Sequence, residues 1–142
     1  MITIQLTIII RNVSMGKKMM ALMAAVLLSA STLAMAASVA DNMDTIAENY
    51  GKVLKADSTE VIKQGLAAMR VAALDAQKGI PTKLKSKGEG SAEVKDFRHG
   101  LDLLIGQIDG ALALANQGKL DDAKKAAQDF KTTRDTFHKK YR

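Results

Sequence analysis

The sequence predicts an all-α fold, an antiparallel up-down-up-down four-helix bundle, and three observations carry that prediction. From Val39 to Tyr141 apolar residues recur at steps of three, four and seven, the spacing of one helix face, and no alternating strand pattern competes. Glycine, proline and capping residues divide this run into four stretches of similar length. The first and third connections are short, which makes neighbouring helices antiparallel.

Residues 1–36 stand apart from the bundle and read as an N-terminal extension plus a signal peptide. Lys17 and Lys18 form a charged start, Met19 to Leu28 an apolar stretch, and Ala34-Met35-Ala36 a small-x-small cleavage site before Ala37. Residues 1–14 fit no targeting pattern, so translation is expected to start at Met15. The apolar run is short for a membrane span, so cleavage is expected and a stable membrane anchor is not. The second domain is then 37–142.

The first helix is expected from Ser38 or Val39 to Lys55, with Val39, Met43, Ile46, Tyr50, Val53 and Leu54 inward and Asp41, Asp44 and Glu48 suited to its N-terminal dipole end. Asp57 or Ser58 caps the second helix, which runs to about Lys78 with Ile62, Leu66, Met69, Ala73 and Ala76 inward. Gly65 weakens that helix by about 1 kcal/mol relative to alanine. Pro81 opens the one long connection, which its glycines, lysines and glutamate mark as solvated and irregular. Ser91 caps the third helix. Its stripe of Val94, Phe97, Leu101, Leu104, Ile108, Ala111, Leu112 and Ala115 is the strongest in the chain, and Gly118 ends it as a C′ residue. Asp121 and Asp122 begin a fourth helix that ends among Lys139, Lys140 and Arg142.

Charge and cysteine content exclude several classes. Arg11, Lys17 and Lys18 are three of the 21 cations, so residues 37–142 carry 18 against 15 acids. That mild excess is interspersed with acids and has no interleaved aromatics, which argues against nucleic-acid binding. The chain has no cysteine, which rules out disulfides, thiolate metal sites, iron–sulfur clusters and thioether-attached haem.

The residues with chemistry to offer converge at one end. His138, one of two histidines, lies one turn after Arg134, and both fall on the inner edge of the stripe Ala123, Ala127, Phe130, Phe137 and Tyr141. In an antiparallel bundle the start of the first helix and the end of the fourth share an end. Met43 is about five residues inside that end and His138 about four, so both lie roughly 6–8 Å along the axis. A thioether and a neutral imidazole at one level suit the two faces of a haem iron, with cations nearby for its propionates. The alternative is core filler: methionine is a common packing residue, and a lone histidine can be satisfied inside a bundle. A di-iron site is a further alternative, because Asp96 with His99 and Asp135 with His138 each form an acid-x-x-His pair. Such sites need glutamates facing inward, whereas His99 points about 200° away from Phe97 at 100° per residue.

From Ala37 onward the chain resembles soluble periplasmic cytochrome b562, a family that itself exemplifies the up-down-up-down bundle. The resemblance rests on ADNM at 40–43, AALDAQK at 72–78, KDFRHG at 95–100, GQID at 106–109, LAN at 114–116, KTTR at 131–134 and KYR at 140–142. It implies one noncovalent haem b per chain, with Met43 and His138 as axial ligands. Ile46, Phe97, Leu101, Phe130 and Phe137 are then candidates for the pocket walls, and Arg134 and Arg142 for the propionates. With both axial positions taken by protein, the implied role is one-electron transfer in the periplasm, not enzymatic turnover. The redox partner is unspecified, and polar outer faces imply a monomer. The long loop, KLKSKGEGS, departs from the family in being more basic. Two other classes compete: a haem- or metal-binding bundle without a redox partner, and a purely structural bundle.

Overall fold

The computed structural model describes residues 37–142, and the expectations placed on residues 1–36, including cleavage before Ala37, lie outside it. Serine side chains set the starts of three helices. Helix α1 spans Val39–Lys55; Ser38 Oγ accepts from the Asp41 amide at 3.1 Å while the Asp41 carboxylate accepts from the Ser38 amide at 3.1 Å, a reciprocal capping box. Helix α2 spans Thr59–Ala76 and is capped by Ser58, and α3 spans Ala92–Asn116 and is capped by Ser91. Gly118, at φ 76°, takes the left-handed conformation that closes α3.

The fourth stretch differs from the single helix expected. It forms α4, Leu120–Gln128, and α5, Phe130–Tyr141, separated at Asp129. The Asp129 amide bonds Ala126 O and the Thr132 amide bonds Asp129 O, both across three residues. The ladder thus tightens for a turn while Asp129 keeps right-handed helical dihedrals. The described residues contain no strand and are consistent with a four-helix bundle.

Two buried clusters fill the interior. One gathers Val53, Ile62, Leu66, Met69, Ile108 and Phe130 with small alanines of α3 and α4. The other gathers Ala73, Ala76, Leu84, Val94, Phe97, Leu101 and Ile105, and Val39, Met43, Ile46, Ile80 and Tyr141 pack on it. Ile46 touches both. Two expectations are corrected here. Leu54 is 37% exposed rather than inward, and the long loop is not wholly solvated. Pro81 is buried, and the short 3₁₀ turn Thr82–Leu84 inserts Leu84 into the second cluster.

Gly65 has a packing reason that offsets its weak helix propensity. A Cβ there would stand 2.8 Å from Val53 Cγ2, so its absence lets α1 approach α2 closely. Helix α1 packs on α2, α2 on α3, and α3 on both α4 and α5; α1 also meets α4. Between α1 and α5, by contrast, there are at most isolated contacts.

Candidate functional site

Met43 lies in the second turn of α1, half-buried against the second cluster. The residue before it fixes its helix. Asn42 is the buried polar residue of the core, 5% exposed, and its Nδ2 donates to Asp75 Oδ2 on α2 at 2.9 Å. A buried amide without a partner would be destabilising, so this bond defines the level at which α1 sits on α2. Asp75 responds: the Asn42 hydrogen bond, more than Lys78, holds its carboxyl below the usual carboxylate range.

His138 lies in the last turn of α5, also half-buried. Burial is the main cause that holds its imidazole below the ordinary 6.5, aided by the charges of Arg142 and Arg134 and opposed by Asp135. At neutral pH it is therefore an uncharged ring with a free nitrogen lone pair.

Three neighbours of His138 tie that turn to the start of α3. Tyr141 Oη donates to the Asp96 carboxylate, which also accepts Lys140 Nζ at 3.0 Å. These bonds, Tyr141 first, hold Asp96 below the carboxylate range. The Tyr141 phenol is correspondingly pushed up to about 12, by burial and by the Asp96 carboxylate it faces. Its ring meets Phe97 edge-on at 6.1 Å and stacks on Phe137 at 6.5 Å. Phe137 in turn lies on bare backbone at Gly100, where a Cβ would come within 2.5 Å of the ring.

Met43 and Tyr141 therefore pack on one buried cluster, and His138 stands one turn before Tyr141. Phe97 and Leu101 belong to that cluster, Ile46 borders it, and Phe137 adjoins it through Tyr141. Phe130 is placed elsewhere: it packs against Tyr50 in the first cluster, with ring centroids 5.9 Å apart. Arg134 is exposed and paired with Asp135 at 2.8 Å, not on the inner edge of the stripe. Arg142 is exposed, and its backbone oxygen accepts Lys83 Nζ at 3.1 Å, which ties the long loop to the end of α5. His99 is exposed, as its helical phase predicts.

Sequence reasoning gave no role to Asn42, Asp75, Gly100 or Arg98, and weighed Asp96 only as half of an acid-x-x-His pair, not as the partner of Tyr141 and Lys140. Arg98 bonds Glu89 at 2.7 Å and so fastens the loop to α3. One signal was available: an amide beside an inward Met43 needs a buried partner, although periodicity does not say which carboxylate supplies it.

Chemically, a neutral imidazole and a thioether beside aromatic and aliphatic side chains are uncharged donors of borderline and soft character. Such a pair suits iron in a porphyrin, whereas hard cations take oxygen ligands. The residues present therefore fit a haem.

Comparison with known proteins gives a consistent result. The family model described as cytochrome b562 matches residues 38–142. A Yersinia pestis protein named probable soluble cytochrome b562 2 is 78% identical over 128 residues, covering 90% of this chain and all of the relative. A second from the same organism, probable soluble cytochrome b562 1, is 47% identical over 107 residues, covering 75% of this chain and 84% of the relative.

Proposed function

This chain belongs to the cytochrome b562 family, and from that membership we propose that it is a periplasmic one-electron carrier binding one haem b noncovalently between Met43 and His138. Family membership supports the coarser reading, a b-type cytochrome that carries electrons and is not an enzyme. The ligand assignment goes further. One observation carries it: Met43 and the last turn of α5 reach the same buried cluster from opposite ends of the sequence, while α1 and α5 scarcely touch.

The proposed topology is antiparallel, up-down-up-down. Its support is pairwise: Val39 at the start of α1 contacts Gly79 just past α2, and Tyr141 at the end of α5 bonds Asp96 at the start of α3.

When bound, haem supplies a one-electron couple between ferrous and ferric iron. The protein's part is positional. His138 presents an uncharged nitrogen, Met43 an uncharged sulfur, and a thioether ligand raises the potential relative to a second imidazole. Phe97 and Leu101 exclude water from the apolar side, and Arg134 and Arg142 are available to the propionates. With two side chains rather than one holding it, the iron would have no position left for a substrate. Helix ends anchored to different neighbours keep the donors in place in both redox states, so transfer needs little rearrangement.

The proposed state is a monomer that meets its redox partner at the Met43–His138 end. Residues 37–46, 75–100 and 134–142 hold ten cations and seven acids, whereas the rest of 37–142 holds eight of each. The whole net charge of the bundle thus lies at this end, offset in part by two propionates.

The test is spectroscopic. Met43→Ala is expected to retain haem with a partly high-spin spectrum and a lowered potential, and His138→Ala to lose far more haem affinity. His99→Ala is expected to change neither. An unaltered reduced spectrum in both Met43→Ala and His138→Ala would refute the assignment.

A further inference from the structure

The two proposed ligands sit on helix ends that are fastened separately. On one side Asp75 of α2 accepts Asn42 Nδ2 at 2.9 Å, and Asn42 immediately precedes Met43. On the other, Asp96 of α3 accepts Lys140 Nζ at 3.0 Å and the Tyr141 hydroxyl, two and three residues after His138. No hydrogen bond or ion pair runs from either carboxylate to the other ligand's helix, and α1 and α5 make at most isolated contacts with each other. Each carboxylate is partly shielded, with 23% of the Asp75 side chain exposed and 37% of Asp96.

We infer that Asp75 and Asp96 are positioning residues, Asp75 for Met43 and Asp96 for His138, and that they set the two ligands independently of each other. The inference rests on the ligand assignment above. The effect of the two carboxylates is pre-organisation. A donor held near its bound place before the ligand arrives loses little freedom on binding, and a displacement of about 1 Å is enough to weaken a site. The bonds are charge-assisted, which makes them directional and strong for their exposure. The aromatic contacts of Tyr141 with Phe97 and Phe137 resist rotation of the same turn but do not fix it along the helix axis. The Asp96 bonds supply that restraint.

Independence has a distinct signature. Loosening the imidazole side weakens the stronger donor, so haem leaves faster. Loosening the thioether side leaves the imidazole bound and lets the sulfur come off. Asp109 supplies a control, since it forms an ion pair of the same kind, with Arg70 at 2.6 Å, that joins α2 to α3 on an exposed face.

The experiment compares Asp96→Ala, Tyr141→Phe, Asp75→Ala, Asp109→Ala and His138→Ala in the haem-loaded protein. Haem transfer to excess apomyoglobin, the ferric high-spin fraction and the apoprotein melting temperature are measured for each. Asp96→Ala is expected to speed haem loss on the order of tenfold, the effect typical of losing a hydrogen bond to a charged group. Tyr141→Phe, which keeps the ring, shifts haem loss the same way by less. Asp75→Ala raises the high-spin fraction with haem loss near that of the parent, and Asp109→Ala moves neither. Parental haem loss in both Asp96→Ala and Tyr141→Phe overturns the inference. So do identical signatures for Asp75→Ala and Asp96→Ala, or an Asp109→Ala effect of equal size at an equal drop in melting temperature. Rapid haem loss in His138→Ala beside slow loss in Asp96→Ala would sink the positioning role alone. Parental haem loss in His138→Ala would sink the ligand assignment itself.

Discussion

Gly100→Ala tests the link between helix packing and the proposed imidazole ligand. A Cβ at position 100 would stand 2.5 Å from Phe137 Cδ1 and 2.6 Å from both Cγ and Cε1. Ordinary contact begins near 3.4 Å, so the ring must retreat by about 0.9 Å. It has little room to rotate, because Tyr141 stacks on it at 6.5 Å and Lys140 Nζ lies 5.1 Å from its centroid. The retreat therefore has to come from α5, and His138 is the next residue. Alanine in a helix interior gains about 0.8–1.0 kcal/mol over glycine, while overpacking of this kind costs about 1–3 kcal/mol. The net expectation is a loss of about 0–2 kcal/mol. Gly106 and Gly110, on the same helix, have nothing within 4 Å of a built Cβ. Alanine there is expected to gain the full propensity term, about 1 kcal/mol each. Gly100→Ala should thus be less stable than Gly106→Ala by about 1–3 kcal/mol, or at least about 4 °C in melting temperature for a domain of this size. Urea unfolding of the apoprotein gives the stability difference, and a haem titration gives the effect on the site. Equal urea midpoints for Gly100→Ala and Gly106→Ala, with unchanged haem affinity, would refute the reasoning.

Three further outcomes are expected. Acid releases haem with a midpoint below about 6.5: the fold already holds His138 below that value, so its contribution is complete above it and is lost as pH falls through the lower, folded value. A midpoint at or above 6.5, read from the visible spectrum, would mean that His138 is not the group being protonated. The Tyr141 phenol, pushed up to about 12, stays protonated well past 10, so its stabilising contribution is full below 10 and disappears as pH rises through about 12. Ultraviolet titration should show both tyrosines late, Tyr50 through its own burial, with the Tyr141 step alone moving toward 10 in Asp96→Ala. Changing Lys83, Lys85 and Lys87 together to glutamate should slow electron transfer to an acidic partner protein and flatten its salt dependence, since screening acts over about 10 Å at 0.1 M; unchanged rates and slopes would remove this loop from partner selection.

How much of this was legible in the sequence follows from the physics of each feature. Helix starts were legible because a serine hydroxyl caps through its own neighbours: Ser38, Ser58 and Ser91 each reach an amide three residues on. The buried stripe of α3 was legible for the same reason, since helical phase is a local property. The break at Asp129 was not, because its dihedrals remain helical and only the hydrogen-bond register changes. Phase also misplaced side chains at the edge of a stripe, such as Leu54 and Arg134, where a small rotation decides between core and solvent. Phe130 shows another limit: the stripe places it inward, but not in which of two clusters. The proposed ligands were visible as a coincidence of axial level, which needs only chain length and topology. Their supports were not, because Asn42–Asp75, Asp96–Tyr141 and Gly100–Phe137 pair residues 33, 45 and 37 positions apart. Each depends on how two helices meet. On the proposed topology the periodic pattern accounts for a methionine and a histidine at one end, and holding each in place is the role proposed for the long-range polar pairs.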